Sequence, residues 1–485
     1  MNNPIATGGP ADGSARSEGP SMQALLAVDS RPVPKPLLDN DHVHHGSADV
    51  PKSRYTSAAF AELEKEFVWR KTWQMACHVD ELPKSGSHVV YDVADESILV
   101  VRNGEGTIKA FHNACLHRGT KLRTDDGRAA SFRCPFHGWT WDLDGQLVAM
   151  PGSWDFSHLT ADPTCTGLPE VQVALWHNWV FVNMDPQAEP FETYAAKLIE
   201  HFADGFDYSD RYIAFHAVKE VGANWKVLME AFSEGYHVIA THPQIVEFTG
   251  DDNSEYATWP GDKHVSRFLN GFGVQSPHLG PIPEQQVADA YLAFSQRARG
   301  VSQVEVPEGG TARPVVAEIF RQRMGTHWGK DLTGVSDSEV LDAILYHLFP
   351  AFAPWAGIGQ PLVYRWRPGA TPDTSFMDVY RLAPVPDGAT ERPAPAECTR
   401  LTLEQSWKEA PTMAGLADVF QQDMDNLPRV QAGLKSSGKR TVTFGNYQEN
   451  RLRMIHRTID DYITRGLAAE GRAADELAPF AVPPG

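Results

Sequence analysis

The chain has 485 residues, 42% hydrophobic and 22% charged, enough to bury roughly two or three domain-sized cores. Its 43 Lys and Arg against 62 Asp and Glu leave a formal net charge of -19, which repels a phosphate backbone and argues against nucleic acid or an anionic membrane surface as partner. Five cysteines, at 77, 115, 134, 165 and 398, are an odd number spread thinly over a long chain. That is a poor disulfide framework and fits a reducing compartment. The first fifty residues lack a basic stretch followed by an apolar one, and no segment approaches the roughly twenty uninterrupted apolar residues of a bilayer span. A cytoplasmic location is expected.

Residues 1–50 mix Gly, Pro, Ser and Asp with little apolar periodicity and read as a flexible arm. SAAFAELEKEFVWRKTW, residues 57–73, has apolar positions at helical spacing behind a capping serine, and predicts a helix entering the first domain. Short runs such as HVVYDV, SILVVRN, TIKAFHN and WVFVNM, separated by turn residues, then predict a small all-β unit, giving a domain over 51–190. Farther on, strands such as LVYRWRP and SFMDVYRL alternate with helical patterns at 224–242, 282–298 and 415–435. An α+β domain with helices over an antiparallel sheet is expected across 191–470, followed by a tail at 471–485. Residues 245–345 read least clearly, as loops around helical pieces, and long loops of this kind often form binding lids.

Within the β-rich unit, FHNACLHRGTKLRTDDGRAASFRCPFHGWTW carries Cys115-x-His117 and Cys134-x-x-His137. Two thiolates on one iron and two neutral imidazoles on the other make the histidine-ligated iron the easier to reduce, which is the chemistry of a Rieske [2Fe-2S] cluster. Gly119 and Gly138 allow each turn to wrap closely, and Pro135 stiffens the second. The rival is a Cys2His2 zinc site, although such sites usually pair like residues within far smaller modules. CLHRGT and CPFHGWTWDLDGQL resemble the two cluster-binding loops of the large (alpha) subunits of Rieske non-heme iron aromatic ring-hydroxylating oxygenases. The likeness continues through WQMACHVDELPKSG and WHNWVFVNM, then YHLFPAF and FGNYQENRLRMIHRTIDDYI, and is weakest from 245 to 340. It implies that Cys115 and Cys134 bind one iron and His117 and His137 the other. It also implies an N-terminal Rieske domain followed by a helix-grip (START-like) catalytic domain.

NWKVLMEAFSEGYHVIATHPQ, residues 224–244, holds Glu234, His237 and His242. His237 and His242 are five apart and share no helix face, so both can reach one metal only if the turn loosens. Pro243 biases His242 away from helical geometry. Two histidines and one carboxylate leave positions open on iron for dioxygen and substrate. The carboxylate candidate is Asp423, in VFQQDMDNLPRVQAGLKS, where Gln422 and Asp423 match the family's late Gln-Asp pair; Asp425 is the alternative. Glu234 matches the position at which the family carries an acidic residue, often Asp, linking the cluster of one subunit to the mononuclear iron of the next.

The cofactors implied by the resemblance are a Rieske [2Fe-2S] cluster and a mononuclear Fe(II). The activity implied is that of a terminal oxygenase using O2 to mono- or cis-dihydroxylate a hydrophobic, aromatic substrate. Oxidative N- or O-demethylation of a non-aromatic substrate, or ligand binding without catalysis, are the alternatives. The glycine clusters at 271 and 357 lack the third glycine and the strand-turn-helix setting of a dinucleotide site, so electrons are expected from a separate NAD(P)H-dependent reductase, with or without a ferredoxin. The family forms head-to-tail homotrimers, some with a small beta subunit. The aromatic and small residues of FLNGFGV and LFPAFAPWAGIG suit a dry cavity for such a substrate.

Overall fold

In a computed structural model, residues 15–159, 166–295, 304–410 and 416–483 are described. Ser57 caps a helix at Ala58–Glu64, which continues into a wider turn over Lys65–Trp69 and buries Phe60, Leu63, Phe67, Val68 and Trp69. The β-rich unit follows as a seven-stranded sheet. Its spatial order is Gln74–His78, Trp179–Asn183, Glu170–Trp176, Ile108–His112, Glu96–Arg102, Ser87–Val93 and the short Gly127–Arg128. A second, three-stranded sheet of Phe132–Arg133, Thr140–Trp141 and Leu147–Ala149 carries the second Cys-His loop at its hairpin.

The second domain is built on an eight-stranded sheet in the order Glu255–Thr258, Val265–Asn270, Ala343–Leu348, Phe352–Pro354, Leu362–Pro368, Ser375–Pro384, Arg211–Val221 and Cys398–Leu401. Its pairs are antiparallel except at one edge, where Cys398–Leu401 runs parallel to Arg211–Val221. Residues 385–397 lead from the end of Ser375–Pro384 past the start of Arg211–Val221 to its free side, where Cys398–Leu401 pairs with it. Alternate residues of each strand divide between two cores. Leu362, Tyr364 and Trp366 join Trp225, Phe420 and Ile455 beneath the helices Trp225–Ala231, Leu416–Ser436 and Asn450–Ala469. Val363 faces the other way, into a layer with Trp179, Phe181, Phe352 and Tyr380 that joins sheet to β-rich domain.

Polar contacts lock that seam. Arg365 donates to the carbonyls of Met75 (3.1 Å) and Ala76, and Arg367 to that of Asp92 (2.7 Å). Buried Asp378 balances both arginines, at 2.5 and 3.1 Å.

The arm behaves differently from its composition. Residues 1–14 lie outside the described residues, but residues 15–49 run along the second domain. Ser21 caps a short helix, Met22–Ala27, whose Met22, Leu25 and Leu26 are buried. The Asp29 carboxylate accepts the Asp337 and Ser338 backbone N–H groups (2.8 and 2.9 Å), and Val50–Pro51 pairs with Thr441–Val442. Three apolar residues at helical spacing, set among Gly and Pro, supply the burial that holds the strap. The tail also docks: Val482 donates its N–H to Asp460 (2.9 Å) and Arg54 donates to the Phe480 carbonyl (2.9 Å). Among its described residues, the obscure stretch 245–345 includes the α-helices Glu284–Phe294, Ala312–Trp328 and Asp337–Leu341, around a separate apolar cluster that includes Phe248, Tyr291 and Phe320. Among the described residues no helix is long and apolar enough to cross a membrane.

Candidate metal centres

The segment holding the two histidines is not one helix. Asn224 caps a helix that stops at Ala231. The chain then loosens as far as His237, and a four-residue helix, Val238–Thr241, follows. Gly235 sits at the break because a Cβ there would lie 3.3 Å from Phe268, and its N–H donates to the Tyr256 hydroxyl (3.1 Å). His242 ends the short helix at φ -122°, ψ 55°, a conformation that the following Pro243 favours. The break brings the rings of His237 and His242 to 5.2 Å between centroids, at 72°.

Asp423, on the Leu416–Ser436 helix, meets them from the other end of the chain. Its Oδ1 lies 3.5 Å from His237 Nε2 and 3.1 Å from His242 Nε2. Among the described residues these three form the one group of metal-binding side chains whose ligand atoms all lie within 4.8 Å of one another. Asp423 is 5% exposed, whereas the alternative, Asp425, is exposed and accepts a hydrogen bond from Gln421 (2.8 Å).

The far side of each ring is also engaged. His237 Nδ1 donates to Glu234 Oε1 (2.6 Å), and Glu234 Oε2 accepts the His237 backbone N–H (3.1 Å). His242 Nδ1 donates to Gln422 Oε1 (2.8 Å), which Gln244 Nε2 also reaches at 2.8 Å. A proton fixed on Nδ1 leaves the Nε2 lone pair free, the tautomer a metal requires. Burial lowers the pKa of His237, but Glu234 and Asp423 raise it to about 9. The negative field that holds a proton there is also suited to a cation. This donor set fits mononuclear iron: two imidazoles, one carboxylate and both ring tautomers fixed. Gln422 and Gln244 had no signal of their own as ring-orienting groups, because neutral amides are common on surfaces and the contact spans 178 to 180 residues.

The first constellation is two copies of one turn. Cys115 N–H donates to the Thr120 carbonyl and Gly119 N–H to that of Cys115, both at 2.8 Å; Cys134 with Trp139 (2.8 Å) and Gly138 with Cys134 (3.1 Å) repeat the pattern. Gly119 and Gly138 take φ of 79° and 81°, where a side chain would strain the turn. Both sulfurs are buried. Burial raises the Cys115 thiol, with the N–H groups of His117 and Arg118 opposing it; Cys134 is lowered despite burial, by those of Phe136 and His137. Amides aimed at sulfur stabilise thiolate. The imidazoles of His117 and His137 pair separately, their Nδ1 atoms 3.1 Å apart, with Trp139 stacked on His117 at 5.3 Å. Sulfur beside sulfur and imidazole beside imidazole fits a cluster whose two irons have different ligands.

A groove of about 840 Å³ lies elsewhere, along Glu170–Trp176 between Trp73 and Phe191, and none of the candidate ligands lines it.

Comparison with known proteins places both sites in context. Residues 206–465 match the family model of the ring hydroxylating alpha subunit (catalytic domain), and residues 72–159 match the Rieske [2Fe-2S] domain. The glycine betaine monooxygenase oxygenase subunit of Pseudomonas aeruginosa is 28% identical over 216 residues, 44% of this chain and 48% of that protein. The carnitine monooxygenase oxygenase subunit of Acinetobacter pittii is 31% identical over 211 residues, 43% and 56%. The anthranilate 1,2-dioxygenase large subunit of Acinetobacter baylyi is 32% identical over 213 residues, 42% and 43%. The chain thus spans about half the length of the curated relatives it matches. Among solved structures, a quaternary ammonium Rieske monooxygenase in complex with L-carnitine superposes with TM-score 0.59 at 19% identity, covering 86% of this chain and 95% of that one. Naphthalene 1,2-dioxygenase with indole bound gives 0.56 at 16% identity, covering 90% and 96%. At these identities the structural likeness establishes the fold.

Proposed function

Since this chain belongs to the ring-hydroxylating oxygenase alpha-subunit family and carries a Rieske [2Fe-2S] domain ahead of the catalytic one, we propose that it is the terminal oxygenase component of a multicomponent system. Its electrons come from an NAD(P)H-dependent reductase, directly or through a ferredoxin. The observation that carries this reading is the convergence of His237, His242 and Asp423 from distant parts of the chain, each ring held in the metal-binding tautomer. When bound, the cluster supplies single electrons and the mononuclear iron supplies the position at which dioxygen is activated. Cys115 and Cys134 would hold one cluster iron, His117 and His137 the other, and the triad the mononuclear iron.

The chain's own groups do the positioning. Glu234 keeps the proton on His237 Nδ1 and Gln422 does the same for His242, while Phe232, Phe420 and Tyr364 pack ring to ring beside the helix that carries Asp423. With two electrons and two protons, the net reaction either inserts one oxygen atom into a C–H bond and releases the other as water, or adds both atoms and both protons to an arene as a cis-dihydrodiol.

The aromatic rings clustered beside the Asp423 helix favour a hydrophobic, aromatic substrate. A second reading has a specific observation behind it: the same rings suit a methylated ammonium through cation–π attraction, and two of the relatives above act on glycine betaine and carnitine. In that case an N-methyl carbon is hydroxylated and leaves as formaldehyde. Turnover with NADH and a generic reductase–ferredoxin pair against aromatics, quaternary amines and aryl methyl ethers tests both. Hydroxylated arenes, or formaldehyde from the aryl methyl ethers, support an aromatic substrate, and formaldehyde from the quaternary amines supports the second reading; iron-loaded enzyme that forms no product from any of them refutes both.

Assembly with further copies belongs to the same proposal. Leu116, Phe136 and Trp154 are exposed beside the cluster loops, as are Tyr236 and Ile239 beside His237. Seating one face on the other in a homotrimer would cover both and place the cluster of one chain near Glu234 of the next. A monomer in solution that still turns over would count against this arrangement.

A further inference from the structure

Aromatic side chains pack between the sheet and the helix that carries Asp423. Tyr364 is 3% exposed, and its ring meets Phe232 at 5.6 Å and 69°, Phe420 at 5.8 Å and 82°, and Trp355 at 5.7 Å and 82°. Phe420 precedes Asp423 by three residues on the same helix, and Phe232 lies just past the helix that leads to Glu234. The box is therefore anchored by the elements that carry the triad. Within this apolar setting two polar groups stand out. Among the described residues the Tyr364 hydroxyl has no acceptor for its proton. The indole N–H of Trp355 is buried without another acceptor and acts on the Tyr364 oxygen as a donor.

Trp69, Trp179, Trp366 and Trp407 also have buried N–H groups without acceptors, but those side chains are wholly enclosed, whereas Trp355 is only partly buried. A tyrosine phenol is protonated at neutral pH, so Tyr364 has a proton to donate. That O–H is not sealed off as the Tyr208 and Tyr380 hydroxyls are, so it is open to a ligand oxygen as its acceptor. Behind it, an indole N–H approaching the phenol oxygen strengthens the outgoing bond through polarisation.

We propose that Tyr364, backed by Trp355, determines specificity by donating a hydrogen bond to an oxygen acceptor on the substrate, a carbonyl, hydroxyl or carboxylate next to the carbon presented to the triad. The inference rests on the oxygenase reading and narrows its substrate class to apolar-bodied compounds with such an oxygen. A site built to hydrogen-bond a polar group discriminates strongly against the analogue that lacks it.

Calorimetric titration of the iron-loaded holoenzyme with acetophenone and with ethylbenzene, which differ by a carbonyl oxygen, tests the proposal. The wild type is expected to bind acetophenone about tenfold more tightly. Tyr364→Phe should bring the two within about twofold while leaving ethylbenzene unchanged, and Trp355→Phe should fall between. A wild type that binds the pair equally, or binds neither, overturns the proposal, as does a Tyr364→Phe variant that keeps the preference. Failure of the underlying reading shows separately: a chain that takes up no mononuclear iron sinks the oxygenase assignment, whereas loaded enzyme without discrimination sinks only the subsite.

Discussion

His237 and His242 reach the same carboxylate oxygen, yet differ in what stands behind them: a charged Glu234 and a neutral Gln422. A carboxylate raises ligand basicity more than an amide does, so His237 is the more strongly donating ring. Asp423→Ala should lose the mononuclear iron and all product while keeping the visible spectrum of the cluster; Asp425→Ala should keep both, and iron analysis beside absorbance separates the two variants. For Glu234→Gln, the hydrogen bond to the ring can persist without its charge. The variant is expected to load cluster and iron normally but to slow single-turnover product formation by about tenfold or more; an unchanged rate would confine Glu234 to holding its own turn. The candidate ligands could be named from the chain because the paired Cys-His spacing is specific and the family resemblance it carries singles out His237, His242 and Asp423, which spacing alone would not. The orienting amides could not, since a glutamine acquires that role only through what folds against it.

Between residues and the whole, the elements show where periodicity succeeds and where it fails. The 416–436 helix and the strands at 362–368 and 375–384 stand where alternating or helical patterns place them. The 224–242 pattern does not remain one helix, because Gly235 must approach Phe268 and give its N–H to Tyr256, contacts that no local propensity encodes. The N-terminal strap is the opposite case: its composition signals flexibility, but Asp29 caps the Asp337–Leu341 helix from 308 residues away. Asp29→Ala should lower stability by about 1 kcal/mol, the usual worth of such a cap, and raise hydrogen exchange at Asp337 and Ser338 first. Exchange unchanged at those amides would show the strap to be held by its apolar helix alone.

At the scale of the molecule, the Rieske domain is fastened to the catalytic sheet through a buried charge cluster. His216 lies 3.4 Å from Asp378 and 3.7 Å from Glu81, which belongs to the Rieske domain. Burial lowers the pKa of His216, but Asp378, Cys398 and Glu81 raise it to about 9. A folded value above the ordinary 6.5 means the stabilisation is full below pH 6.5 and is lost as pH rises toward 9, on the order of 3 kcal/mol in all. Urea unfolding from pH 6.5 to 9 should show that decline in the wild type and a shallower one in His216→Gln; parallel profiles would mean His216 is neutral when folded. Asp378→Asn leaves Arg365 and Arg367 buried without their counter-charge, and is expected to cost about 3 kcal/mol or more and to loosen the seam.

The order of domains, the cluster loops and the candidate metal-binding side chains could be named from the chain alone, because the Cys-His spacing and strand alternation are local and the family motifs lie in short stretches. The meeting of Asp423 with two histidines some 180 residues earlier, the tautomers imposed by Glu234 and Gln422, the aromatic box around Tyr364 and the seam at Asp378 exist only once the sheet is closed and the helices are laid on it. Long-range packing chooses among many surfaces that local pattern leaves equivalent, and the chemistry of this protein sits where those choices converge.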